Sequence, residues 1–127
     1  MDVTVKAYLN IARTHARHGT TGMVPTTLTS TNEELLHSFE IYRQAKEQNK
    51  YGSKFLGIHL EGPYFSYNQR GAQDPKYLRN PDSDEYLAIL AATNDIVRWS
   101  IAPELEGALE LGRVLKSKNI IASVAHT

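Results

Sequence analysis

Four times along this chain a run with helical apolar spacing gives way to a short β-rich run. That alternation calls for parallel strands joined by right-handed helical crossovers, because a tight turn cannot connect parallel neighbours. Val5, Tyr8, Leu9, Ala12 and Ala16 share the face of a first helix, and Gly19 follows as its stop. Leu35, Leu36, Phe39, Tyr42 and Ala45 form the apolar face of a second, opposite Glu40, Arg43, Lys46 and Glu47. Thr31 with Glu34, or equally Ser30 with Glu33, offers a capping box for its start. Asp82 with Glu85 opens a third helix, filled by Tyr86, Leu87, Ile89 and Leu90. Ala108, Leu109, Leu111 and Leu115 mark a fourth, with Asn119 as a left-handed cap. The β-rich runs are 22–28, 55–61, 96–102 and 120–124. Pro25 interrupts the first, so Thr26 and Thr27 are expected past the end of its strand.

Composition narrows the class. The 127 residues make one ordinary domain, with 41% hydrophobic and 22% charged residues, as in globular proteins. Lysine plus arginine equals aspartate plus glutamate, 14 each, which argues against nucleic acid or a charged membrane surface as partner. With no cysteine there is neither a disulfide framework nor thiolate chemistry. No apolar run is long enough to span a bilayer, and the first five residues lack the features of a signal peptide. A cytoplasmic location is the default expectation. His15, His18 and His37 read as surface residues.

Chemistry concentrates at Gly57-Ile58-His59-Leu60-Glu61-Gly62-Pro63. An apolar run ending in an acid and then Gly-Pro reads as a buried strand whose last residue emerges at a loop. His59 and Glu61 alternate with Leu60, so they point to the same side. Two ionisable groups there are costly in a core and ordinary in an α/β active site. The plainer reading is a solvated strand-end glutamate. The segment 64–80 is a longer loop than compact domains usually carry, a feature associated with function. No glycine-rich phosphate loop follows any strand, so a doubly wound nucleotide-binding sheet has little support.

The heptapeptide, followed by Gly71-Ala72, resembles the N-acetylglucosamine-6-phosphate deacetylase family of the amidohydrolase superfamily. Three further stretches agree in order: Gly19-Thr20-Thr21-Gly22-Met23-Val24-Pro25-Thr26, Ala102-Pro103-Glu104, and Val124-Ala125-His126-Thr127. Ala125 stands where the family's Gly-His-Ser/Thr motif usually has glycine. The resemblance implies an α/β fold of parallel βα repeats, a partial TIM (β/α)8 barrel of the metal-dependent hydrolase type. Residues 1–127 would be a fragment of that catalytic domain, starting at its second strand, since a whole barrel takes about 250 residues.

By the same resemblance, Glu61 and His126 are ligands of a divalent metal, zinc or iron. A further ligand histidine and the catalytic aspartate would lie beyond Thr127. Ala72 and Gln73 would contact a phosphorylated amino-sugar substrate, Gln73 replacing the family's usual histidine. The implied reaction is hydrolysis of N-acetylglucosamine 6-phosphate to glucosamine 6-phosphate and acetate by a homo-oligomer, the isolated fragment being inactive. His59 either orients Glu61 or is a buried histidine satisfied by backbone. Arg70, Lys76 and Arg79 are either solvated loop charges or phosphate contacts. Two other readings stand beside this one. Glu61 with Glu104 would suit a glycosidase-type barrel, and a non-catalytic half-barrel would self-associate through its open edges.

Overall fold

The computed structural model describes residues 3–127. Helix α1 (Val5–Arg17) starts at Thr4, whose side chain accepts from the Ala7 amide. Strand β1 (Gly22–Met23) follows, then α2 (Asn32–Gln48). Of the two candidate caps for α2, Thr31 with Glu34 forms the complete reciprocal box. Strands β2 (Lys54–Phe55) and β3 (Ile58–Glu61) come next, then α3 (Ser83–Ala92), capped by Asp82. Strand β4 (Ile96–Ile101), α4 (Ala108–Ser117) and β5 (Ile121–Val124) complete the order. Asn119 adopts the left-handed conformation expected of it, with φ 57°.

All pairings are parallel: β1 with β2, and β3 with β4 with β5. The run expected as one strand from 55 to 61 is broken at Gly57. Gly57 has φ +147°, and a Cβ there would lie 2.3 Å from a methyl of Val97. Opposite the break, Ile58 aligns with Ile96 and His59 with Arg98, so Val97 is an extra residue and β4 bulges. Thr26 and Thr27 lie past the end of β1, as expected, yet the chain there still touches β3. Thr26 bridges His59, the His59 amide donates to the Pro25 carbonyl, and the Thr27 amide donates to the His59 carbonyl. Proline removes a donor but leaves its acceptor, so an isolated bridge can still form past it.

The helices pack on one face of the strands. Leu60, Trp99 and Ile101 point into a core with Phe39 and Tyr42 of α2, Tyr86 and Ile89 of α3, and Leu111 and Leu115 of α4. Leu36 does not join them and is 45% exposed. It sits about 100° around α2 from Leu35, off the stripe formed by Leu35, Phe39, Tyr42 and Ala45. A doubly wound sheet carries helices on both faces; here the second face carries His59, Glu61, Arg98, Ser100 and Ser123 in register. One-sided helices around parallel strands are the arrangement of a (β/α)8 barrel wall. Among the described residues no helix is long and apolar enough to cross a membrane.

Candidate functional site

The polar face gathers at the C-terminal ends of β3, β4 and β5, where barrel enzymes place their chemistry. Glu61 is the last residue of β3, and His126 lies just past β5. The His126 Nε2 atom is 3.0 Å from Glu61 Oε1. The other carboxylate oxygen, Oε2, faces His59 Nε2 at 3.5 Å. His59 and Glu61 therefore share a face, as their alternation requires.

The loop after β3 fixes His126. The His126 Nδ1 atom is 3.0 Å from the Gln69 carbonyl oxygen, and the Ser66 amide donates to the His126 carbonyl. The Phe65 ring packs against the imidazole with centroids 4.2 Å apart. His126 holds φ 52°, an uncommon conformation for a residue with a side chain. The loop is itself anchored below: the Trp99 indole donates to the Gly62 carbonyl at 2.9 Å, and Tyr64 stacks on Trp99. A side chain at Gly62 would meet the Thr29 hydroxyl at 2.2 Å, so only glycine lets the strand leave the sheet here.

Of the two readings of His59, backbone satisfaction of the ring does not hold. Its Nδ1 is 3.2 Å from the Thr26 hydroxyl and its Nε2 is 2.7 Å from the Ser100 hydroxyl. Burial holds the His59 imidazole below its ordinary pKa; the Glu61 charge pulls it up and Arg98 pushes it down. Among the loop cations Arg79 differs from expectation. Arg79 donates from Nε to Glu85 at 2.8 Å and also bonds the Tyr77 carbonyl and the Asn32 side chain. The Tyr64 hydroxyl donates to the same Glu85 carboxylate. Arg79 is thus a structural clasp, neither a solvated charge nor a free phosphate contact. Lys76 pairs with Asp74 at the surface, and Arg70 lies over the Tyr67 ring.

Ala72 is exposed in the loop, and Gln73 is half-buried with its Oε1 3.4 Å from the Thr29 amide. Thr29 in turn donates its hydroxyl to the Glu61 carbonyl at 3.4 Å, which ties Gln73 to the end of β3. Glu104 is exposed and accepts from the Thr127 hydroxyl, which holds its carboxyl below the usual range. That is the wrong direction for a glycosidase acid, which needs a raised pKa.

Glu61 and His126 suit a divalent ion in donor type and approach. Two donors at zinc-ligand distance from one tetrahedral ion lie about 3.4 Å apart. They fall short in number: among the described residues no group of three or more histidine, cysteine, aspartate or glutamate side chains could hold a metal.

Against known proteins the geometry finds relatives. A human N-acetylglucosamine-6-phosphate deacetylase is 35% identical over 120 residues, covering 92% of this chain and 29% of that protein. An N-acetylgalactosamine-6-phosphate deacetylase from Escherichia coli O157:H7 is 31% identical over 118 residues, covering 92% of this chain and 31% of that protein. The crystal structure of N-acetyl-D-glucosamine-6-phosphate deacetylase from Mycobacterium smegmatis superposes with TM-score 0.87 at 30% identity, over 96% of this chain and 32% of that one. The chain matches part of the N-acetylglucosamine-6-phosphate deacetylase barrel. It spans about three-tenths of the length of the deacetylases it matches. A mutant of the Mycobacterium smegmatis deacetylase is known in complex with N-acetyl-D-glucosamine-6-phosphate. No protein-family model matches the chain.

Sequence reasoning missed Ser100, Thr26 and Phe65 as parts of the site. A serine inside the apolar run Ile96-Val97-Arg98-Trp99-Ser100-Ile101 was the available signal, because a buried hydroxyl needs a partner.

Proposed function

We propose that residues 1–127 are part of the catalytic barrel of a metal-dependent deacetylase acting on N-acetylglucosamine 6-phosphate in the cytoplasm. The observation that carries the proposal is the 3.0 Å approach of His126 to Glu61 across strand ends. Glu61 and His126 would hold a divalent ion, zinc or iron, together with donors from outside these residues. When bound, such an ion polarises the acetamide carbonyl and acidifies a water. Gln73 and Ala72 would meet the sugar; Gln73 can donate and accept but cannot become cationic. The proton transfer to the departing amine falls to an aspartate outside residues 1–127, so the isolated chain is inactive.

The test is a chimera in which residues 1–127 replace the matching segment of the human deacetylase. It should release acetate from N-acetylglucosamine 6-phosphate, and N-acetylgalactosamine 6-phosphate serves as the competing substrate. Glu61→Gln and His126→Asn should each abolish turnover and lower zinc content. A folded chimera whose zinc content is untouched by both substitutions would exclude the ligand roles.

A further inference from the structure

The polar face contains a buried group that metal binding does not explain. Ser100 is 3% exposed, at a strand position where an aliphatic side chain would cost nothing in hydration. It aligns with Glu61 on one side and Ser123 on the other. Its hydroxyl lies 2.7 Å from His59 Nε2, the ring nitrogen that also faces Glu61 Oε2. The opposite ring nitrogen is 3.2 Å from the Thr26 hydroxyl. A neutral imidazole has one N–H and one acceptor nitrogen, and a hydroxyl can serve either. In both tautomers the two hydroxyls hold the ring from opposite sides. The ring in turn borders one carboxylate oxygen of Glu61, while His126 borders the other.

We infer that Ser100 is a positioning residue: through His59 it fixes the Glu61 carboxylate in the rotamer that meets His126. This rests on the reading of Glu61 and His126 as ligands for its functional meaning, but the orientation itself is a property of the metal-free chain. Without the Ser100 hydroxyl, His59 loses the contact that aims its Nε2. The ring then keeps its contact with exposed Thr26 and the longer 3.5 Å approach to Glu61, and can turn about them. Groups of this kind around ligands commonly govern metal affinity by 10- to 100-fold.

The experiment uses the 127-residue chain, wild type and three variants. Ser100→Ala removes the hydroxyl, Ser100→Cys keeps the volume with a far weaker partner, and Ser100→Thr keeps the hydroxyl. Long-range proton–nitrogen correlation of the histidine rings, without metal, should show one fixed His59 tautomer in the wild type. Ser100→Ala and Ser100→Cys should average it and shift the His126 ring signals, while Ser100→Thr preserves both. Cobalt(II) titration of the same variants in the chimera with the human deacetylase should then show affinity lowered roughly tenfold in Ser100→Ala and restored in Ser100→Thr. Ring signals identical in wild type, Ser100→Ala and Ser100→Cys would overturn the inference, even if cobalt binding still depends on Glu61. Cobalt binding unchanged in Glu61→Gln, with the ring freed in Ser100→Ala, would instead sink the ligand reading and leave the positioning role standing.

Discussion

His126 Nε2 and Glu61 Oε1 meet at 3.0 Å although 65 residues of chain separate them. One comes from past β5 and the other from the end of β3, so the contact exists only when β4 lies correctly between those strands. The pair therefore reports on the sheet as much as on the site. In the chimera with the human deacetylase, which supplies the remaining donors, Glu61→Gln should leave the fold intact and lower bound zinc at least tenfold, measured by metal analysis. Binding equal to wild type would remove Glu61 from the ligand set.

Arg79 and Glu85, six residues apart, make a second tie, joining the loop after β3 to the first turn of α3. Their side chains are 32% and 12% exposed, so solvent screens the pair only in part. Truncating Arg79 strands a half-buried carboxylate. Arg79→Ala should lower stability by about 2 kcal/mol, and Tyr64→Phe by about 1 kcal/mol. Urea unfolding of the two variants checks the order; equal midpoints would contradict the clasp.

The same carboxylate predicts a pH dependence. Burial pushes the Glu85 pKa up, but hydrogen bonds from Arg79 and Tyr64 outweigh it and the net shift is downward. A depressed carboxylate adds stability above its unfolded value of about 4.3 and loses it as pH falls through the lower folded value. Melting temperature should therefore drop on acidification below about pH 4. Glu85→Gln should flatten that part of the profile. A variant profile as steep as wild type would assign the acid sensitivity elsewhere.

Tyr42 is wholly buried among Tyr8 and Phe55, and its hydroxyl, near the Gly57 backbone, makes no hydrogen bond of good geometry among the described residues. Burial first, and the Asp95 charge second, push its pKa up to about 12. Removing an unpaired buried hydroxyl relieves a desolvation cost of about 1 kcal/mol. Tyr42→Phe should raise the urea midpoint, and a lower midpoint would show that the hydroxyl is satisfied.

Much of this was readable in advance. The capping box at Thr31 and Glu34, the Asp82 cap and the left-handed Asn119 are local chemistry, and local sequence specifies them. The shared face of His59 and Glu61 follows from strand alternation, and the likeness in chain order located His126. The break at Gly57 was not legible, because its cause is a methyl of Val97 on a neighbouring strand. The Arg79 clasp was missed for a similar reason. Its partners Asn32 and Glu85, and Tyr64 which donates to Glu85, come from three separate segments, and loop charges alone do not reveal a tertiary partner.

Among the described residues no strand pairs with the outer edge of β1 or of β5. Beside β1 lies an apolar groove of about 510 Å³ lined by Tyr8, Ile11, Val24, Leu28 and Leu35. At the other edge Ile121 and Val124 are 53% and 68% exposed. Unpaired parallel edges with apolar flanks recruit further strands. The 127-residue chain should run as a dimer or larger in light scattering, and a stable monomer at high micromolar concentration would refute this.

The order of the residues along the chain also sets a schedule. Synthesis proceeds at about 5–20 residues per second, so Glu61 precedes His126 by about 3–13 seconds. Thr26 and His59 precede Glu61, and Ser100 is made within that interval. If the sheet forms as it is made, the carboxylate is already aimed while its histidine partner is still in the ribosome. The late arrival then docks onto a finished surface.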